Sequence, residues 1–328
     1  MQGAELVGQS HAHRQLLHML DKVACTDVEV LITGPSGVGK ELYARYLHQR
    51  SERLKAPFVA VNCGGLSAEL LENELFGHVA GAFTGARDER EGLVAAAQHG
   101  TLFLDEVDTL PAGSQAKLLR FIQEKEYRRL GERQLRRADV RFVAATNVNL
   151  NEAVRAGRFR EDLFFRLRVV PIEVPPLRAR AEDIAPLTER FIRRYADLYR
   201  LRPVVIGTEA RRCMEHYAWP GNIRELENCI RYLTCIQIER EVEPGDLPLL
   251  GPPSACEIAA SFSQAKRELV ERFERERLEE ALRRSEGNIA QAARAEGKAR
   301  RAFFELLRKN DIDASAFRRK ELSSHARA

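Results

Sequence analysis

The sequence lacks paired cysteines, long apolar runs, internal repeats and a large charge of one sign, and each absence removes a class of protein. Its six cysteines, at positions 25, 63, 213, 229, 235 and 256, include no CxxC pair. That argues against a zinc site or a thiol redox motif, and leaves reduced, buried thiols in a cytosolic protein as the expectation. No apolar stretch approaches membrane-spanning length, and the N-terminus lacks the basic-then-apolar form of a signal peptide. A cytoplasmic protein with no membrane segment is expected. A net charge of +4 is too small to imply nucleic acid by itself.

What is present is a long, core-forming chain. Its 328 residues exceed one small domain, and 44% hydrophobic residues allow a sizeable core. The charge is unevenly placed. From Gly287 onward the basic residues are Arg294, Lys298, Arg300, Arg301, Arg308, Lys309, Arg318, Arg319, Lys320 and Arg327. Only Glu296, Glu305, Asp311, Asp313 and Glu321 oppose them.

Five short apolar runs punctuate the first half, at 28–33, 58–62, 101–105, 141–146 and 169–174. Stretches of helical period separate them. Strands alternating with helices predict an α/β fold with a parallel five-stranded sheet buried on both faces. After Pro175-Pro176 the strand pattern stops, and helices are expected near 183–199, 208–217 and 222–235. The Trp219-Pro220-Gly221-Asn222 step supplies a breaker and then an expected helix cap at Asn222. Prolines and glycines between 243 and 254 read as a linker. Beyond it, Val270, Phe273, Leu278, Ala281 and Leu282 mark an amphipathic helix, with two shorter helices after it.

Gly34-Pro35-Ser36-Gly37-Val38-Gly39-Lys40 follows the first strand and opens a helix. Glycines there let backbone N–H groups close on phosphate oxygens, and the helix N-terminus adds positive potential. Lys40 would reach the β- and γ-phosphates. The general pattern has Ser or Thr next, for Mg²⁺, but here the residue is Glu41. A Gly-rich turn without a ligand is the plain alternative. The strand Thr101-Leu102-Phe103-Leu104-Asp105-Glu106 favours the phosphate reading. It carries Asp105 to the sheet's edge to hold Mg²⁺ and Glu106 to polarise an attacking water.

The string Gly81-Ala82-Phe83-Thr84-Gly85-Ala86, preceded by Glu74-Leu75-Phe76-Gly77-His78, resembles the sigma-54 activator branch of the AAA+ ATPases, the bacterial enhancer-binding proteins. In that family the hexapeptide tips a loop that engages sigma-54. The resemblance covers almost the whole chain, and Glu41 is the family's usual residue. It implies that Asn62 restrains the catalytic glutamate and that Thr146-Asn147 form the first sensor. By the same resemblance Arg160 and Arg166 are arginine fingers acting on a neighbouring subunit, and Arg224 is the second sensor. ATP and Mg²⁺ are the implied cofactors. Val79, Ala95 and His99 depart from the family pattern.

Gly287-Asn288-Ile289-Ala290-Gln291-Ala292-Ala293-Arg294 followed by Gly297 resembles the family's Fis-type helix-turn-helix. Ala292 and Ala293 allow close helix crossing. The second helix, 298–309, would enter the major groove, with Arg294, Lys298, Arg300 and Arg301 reaching DNA while Phe303 and Leu307 face the core. The expected division is an AAA+ α/β subdomain at 5–176, a helical lid at 177–243, a linker at 244–262 and the helix-turn-helix at 263–316.

The resemblance implies an ATP-hydrolysing activator that converts sigma-54 RNA polymerase from closed to open promoter complex. Its implied partners are sigma-54, the polymerase, enhancer DNA and further copies of itself, from dimer to hexameric ring. No receiver or ligand-sensing segment precedes Leu6, so control by a separate protein, or a removed sensor, is expected. A DNA-binding regulator with a merely scaffolding core, or a helicase loader, are the rival readings. The intact ATPase residues and the loop hexapeptide count against them.

Overall fold

The structure, a computed structural model, describes residues 6–65, 67–83, 86–249, 277–278, 280–285, 288–297, 300–309, 312 and 314. Of residues 300–302, 308 and 309 only the backbone is described. The chain forms two compact units, Met1–Leu250 and Gly251–Ala328.

The first unit is built on strands β1 (Val30–Thr33), β2 (Phe58–Asn62), β3 (Gly77–His78), β4 (Arg90–Glu91), β5 (Thr101–Asp105), β6 (Glu126–Tyr127), β7 (Arg136–Arg137), β8 (Arg141–Thr146) and β9 (Val170–Glu173). The main sheet runs β2-β5-β8-β1-β9, and every pairing is parallel. All six residues of β8 are buried, as befits a strand covered on both faces. Pro171 has no N–H to give a ladder and sits in β9, an edge strand.

Side chains alternate between two cores. Leu31, Leu102, Leu104, Phe142 and Ala144 point into one; Val30, Ile32, Phe103, Val143 and Ala145 point into the other. Helices α1 (His11–Ala24) and α2 (Lys40–Gln49) cover the second core. The first is covered by α3 (Ala68–Phe76), α4 (Leu93–Ala96), α5 (Ala112–Glu124), α6 (Leu150–Arg155) and α7 (Glu161–Leu167). The parallel arrangement brings Asn62 level with Asp105, and Thr33 level with Thr146, at one edge of the sheet. Open α/β sheets present their ligand sites at that carboxyl edge.

A helical subdomain follows, with α8 (Ile184–Tyr199), α9 (Thr208–His216) and α10 (Asn222–Ile236). Trp219, 1% exposed, anchors it, and its indole N–H donates to the Met214 carbonyl at 2.7 Å. The chain stays on this subdomain past α10: Val242 bridges Ile206, and Leu247 is buried. The expected cap at Asn222 is corrected. Gly221 is the cap and Asn222 the first helical residue, with φ +54°. Its side chain is drawn instead to the Ser36 carbonyl.

Of the expected buried thiols, Cys63 and Cys229 are buried and free. Cys25 and Cys235 are exposed instead, and Cys213 is disulfide-bonded. His99 has φ +60°, a left-handed backbone that glycine adopts without cost, so this departure from the family pattern falls where glycine suits the chain.

The second unit packs α11 (residues 280–284), α12 (Ile289–Ala295) and α13 (Arg300–Lys309) around a small core. Ala292, Ala293, Phe303 and Leu307 are buried there with Leu278 and Leu282. Small alanines let α12 approach its neighbours closely, and Gly297, at φ +65°, makes the turn. Asn288 caps α12, its side-chain oxygen accepting from the Ala290 and Gln291 N–H groups.

Candidate functional site

The loop from Gly34 to Gly39 joins β1 to α2, and its glycines answer to close approaches. A Cβ on Gly37 would stand 2.3 Å from the Gly221 carbonyl oxygen, and φ there is +78°. Gly39 caps α2 with φ +92°. Lys40 is buried, and its ammonium donates to the carbonyls of Gly34 (2.9 Å) and Pro35 (3.2 Å). Burial pushes its pKa below the usual lysine value. Asp105, Glu106 and Asp108 oppose that shift, while Arg224 adds to it. Glu41 points elsewhere: its carboxylate accepts from Arg45 one helical turn on, at 2.6 Å, in an exposed ion pair.

Across the sheet edge lie the carboxylates. Glu106 follows β5 with φ +54°, uncommon for a non-glycine residue, and donates its N–H to Asp105 Oδ1 at 2.9 Å. Its carboxylate lies against Gly64, where a Cβ would meet Oε2 at 2.1 Å. Asn62 Oδ1 accepts from the Gly64 N–H at 2.7 Å, which holds the Asn62 side chain beside the same turn. The concentration of negative charge is felt by Cys63. Burial first, then Asp105, Asp108 and Glu106, push its thiol up to about 12. Thr146, fully buried at the end of β8, donates to Asp108 Oδ1 at 2.5 Å and accepts from the Val148 N–H. Asn147 beside it is exposed.

The helical subdomain closes over the loop with three contacts on three consecutive carbonyls. Asn222 Nδ2 donates to Ser36 O at 2.9 Å, the Arg224 N–H to Gly37 O at 3.3 Å, and Arg180 to Val38 O at 3.0 Å. Arg224 also reaches the Ser36 hydroxyl at 3.3 Å. Sequence reasoning found Arg224 but missed Arg180 and the role of Asn222. Asp108 and Gly64 were missed as well; their place depends on which strands neighbour each other.

Arg160 and Arg166 are not brought to this loop. Arg160 pairs with Asp162 at 2.6 Å, and Arg166 lies 3.5 Å from Glu29. Glu29 precedes β1, whereas the phosphate loop leaves its far end, so roughly 13 Å of strand separates them. Phe165, 62% exposed, stands between the two arginines on α7.

The described residues of the hexapeptide, 81–83 and 86, belong to an arm between β3 and β4. Gly81 donates to the Ala86 carbonyl at 2.8 Å, and a Cβ on Gly81 would meet nothing. Ala86 is buried, Ala82 half-buried, and Phe83 46% exposed, its ring 5.1 Å from that of His78. Thr84 and Gly85 lie outside the described residues. A second turn supports the arm: the Val79 N–H donates to the Leu130 carbonyl, and Arg129 pairs with Glu89 at 3.3 Å. In the second unit Arg294 is exposed, and Phe304, 55% exposed, lies on α13. Lys298 and the side chains of Arg300 and Arg301 lie outside the described residues.

A parallel sheet in this order, a glycine phosphate loop, a carboxylate strand end and a helical lid define a P-loop nucleoside triphosphatase of the AAA+ class. The family description "Sigma-54 interaction domain" matches residues 6–173, "AAA+ ATPase lid domain" residues 178–251, and "Bacterial regulatory protein, Fis family" residues 269–295. The chain therefore belongs to the sigma-54-dependent transcriptional regulators. It is 45% identical to the transcriptional regulatory protein ZraR of Klebsiella oxytoca, covering 92% of this chain and 68% of that protein. It is 44% identical to the nitric oxide reductase transcription regulator NorR2 of Cupriavidus necator, covering 90% of this chain but 61% of that relative. The crystal structure of NtrX from Brucella abortus in complex with ADP is 36% identical, with a TM-score of 0.70 over 94% of this chain and 69% of that one.

Proposed function

We propose that this chain hydrolyses ATP at the Gly34–Lys40 loop and uses the cycle to remodel sigma-54 RNA polymerase from closed to open promoter complex. The observation that carries the reading is the convergence of Lys40, Asp105, Glu106 and the lid's Arg224 on one loop. Phosphoryl transfer to water needs positioning and charge neutralisation more than covalent chemistry. Lys40 supplies a cation within the loop. Glu106 is placed to polarise the attacking water, and Asn62 to restrain it. Thr146, Asn147 and Arg224 read the γ-phosphate from sheet and lid.

Mg²⁺ fits this edge. The Asp105 carboxylate, at the end of β5 and within electrostatic reach of Lys40, suits an ion that takes one or two carboxylates and completes its shell with phosphate and water. Asp105 would hold it, and it would supply charge neutralisation.

Arg160 and Arg166 serve the neighbouring copy, in a ring of up to six. The distance of Arg166 from its own phosphate loop and the exposed Phe165 beside it support that assignment. The Gly81–Ala86 arm is the sigma-54 contact. The second unit, with Arg294, Lys298, Arg300 and Arg301, holds enhancer DNA, within a division of ATPase core at 5–176, lid from 177, linker and helix-turn-helix at 263–316. The setting is the cytoplasm.

Lys40→Ala and Glu106→Gln test the core of this reading. The first should abolish ATP binding, and the second should spare binding but stop phosphate release. Wild-type turnover in Glu106→Gln would remove the assignment.

A further inference from the structure

Three carbonyls in a row, those of Ser36, Gly37 and Val38, are taken by donors from the lid. In a trans peptide the C=O and the following N–H point in opposite directions. Holding these carbonyls toward the lid therefore turns the N–H groups of Gly37, Val38 and Gly39 the other way, as a concave row of donors suited to an anion. Asn222 and Arg224 supply two of the contacts. The third comes from Arg180, whose backbone breaks the helical run of residues 177–183 with φ −140° and ψ 50°.

Arg180 is itself held. It is 2% exposed, and its second donor reaches the Tyr43 hydroxyl at 2.8 Å. That hydroxyl also lies 2.9 Å from His13 Nδ1. A guanidinium only donates, so the Tyr43 oxygen accepts from Arg180 and its own proton is free for His13 Nδ1. The imidazole is then neutral, as its burial favours: His13 is 1% exposed and its pKa is lowered chiefly by desolvation. Asp183, in the same lid turn, accepts from the N–H groups of Gln9 (2.6 Å) and Ser10 (2.7 Å) and from the Ser10 hydroxyl (2.9 Å). The lid, the phosphate-loop helix and the segment before α1 thus share one buried polar cluster. Packing alone does not call for it: among the described residues His13 Nε2 and Arg180 Nε have no partner, a cost that apolar side chains would avoid.

We propose that Arg180, steadied by Tyr43 and His13, is a positioning residue that presets the phosphate loop for an adenine nucleotide. The proposal rests on the reading of this loop as the ATP site. Such a residue acts on ground-state and transition-state binding alike, so its loss should raise KM and leave kcat nearly intact.

The test is ADP affinity by titration calorimetry on the full chain, together with KM and kcat for ATP. Arg180→Gln should weaken ADP binding and raise KM by about tenfold, and Tyr43→Phe by about threefold, with kcat at saturating ATP within about twofold. A merely structural cluster would lower the melting temperature of the nucleotide-free protein yet leave both ADP affinity and the ADP-induced rise in melting temperature unchanged. That result, or a loss confined to kcat, overturns the proposal. Tyr43→Phe removes one oxygen atom and decides the matter if Arg180→Gln does not fold. Lys40→Ala in the same titration separates the two claims: normal ADP binding there would sink the ATP-site reading itself.

Discussion

Asn222, the first residue of lid helix α10, donates its carboxamide to the Ser36 carbonyl in the phosphate loop at 2.9 Å, while its oxygen accepts from the Leu177 N–H at the same distance. One side chain thus joins the loop, the start of the lid and α10. It is 3% exposed and holds φ +54°, a conformation asparagine tolerates better than most residues.

Asn222→Ala should therefore cost more than a surface change. Two buried hydrogen bonds are lost, the Leu177 N–H and Ser36 carbonyl lose partners, and an alanine must keep the left-handed backbone. A loss of about 1–3 kcal/mol in unfolding free energy is expected. Urea denaturation checks it. A midpoint equal to the wild type would mean that the lid is held by other contacts.

The arginine assignment predicts complementation. Arg166→Ala and Glu106→Gln chains should each be inactive. Mixed in equal amounts, about one interface in four in a randomly assembled ring carries both native groups, so partial hydrolysis should return. Absence of recovery at every mixing ratio, with co-assembly demonstrated, would place Arg166 outside the reaction.

Two buried histidines predict a pH dependence of stability. Burial lowers the pKa of His13, which faces Tyr43, Asp183 and Arg180, and of His48, which faces Thr101 and lies near Arg141 and Arg45. A lowered folded pKa means that the unfolded chain takes up a proton first as pH falls. The stability is present above the unfolded value of 6.5 and lost below it. The unfolding free energy, from urea denaturation, should fall as pH drops through about 6.5, with a slope of at most about 1.4 kcal/mol per pH unit for each histidine. In His13→Gln the slope should shrink by up to one proton's share; an unchanged slope would show that His13 is already protonated in the fold.

A chain ending at Leu250, the boundary of the first compact unit, keeps every ATPase residue and the Gly81–Ala86 arm. It should hydrolyse ATP and, at high concentration, still open sigma-54 promoters without an enhancer site. Its affinity for enhancer DNA should be lost, whereas the full chain's affinity should fall steeply with added salt. Enhancer binding as tight as the full chain's would relocate the DNA contact to the first unit.

Much of the fold was legible beforehand. The runs at 58–62, 101–105 and 141–146 coincide with β2, β5 and β8; β5 and β8 lie inside the sheet and are buried along their length, which demands a largely apolar run. The phosphate loop was legible because its glycines, lysine and strand-to-helix setting are all local. The parts that stayed hidden are those whose partners are distant in the chain. Asn222 read as a helix cap, since Asn after Gly ordinarily caps; its bond to Ser36 spans 186 residues. Arg180 carried no signal of its own, since nothing nearby in sequence announces its contact with Val38, 142 residues away.

The sequence by itself determined which chemistry the chain can carry: a lysine in a glycine loop, paired acids at a strand end, two arginines in one short segment and a basic C-terminal segment. These are properties of residue type and short spacing, which periodicity and turn chemistry expose. Tertiary structure alone decided the order β2-β5-β8-β1-β9, which sets Asn62 beside Asp105 and turns Thr146 toward Asp108. It alone decided that lid donors hold three loop carbonyls, and that Arg166 faces Glu29 rather than its own phosphate loop. The reason is physical. Buried hydrogen bonds and ion pairs are satisfied by whichever groups packing brings within about 3 Å, and no local pattern encodes that choice.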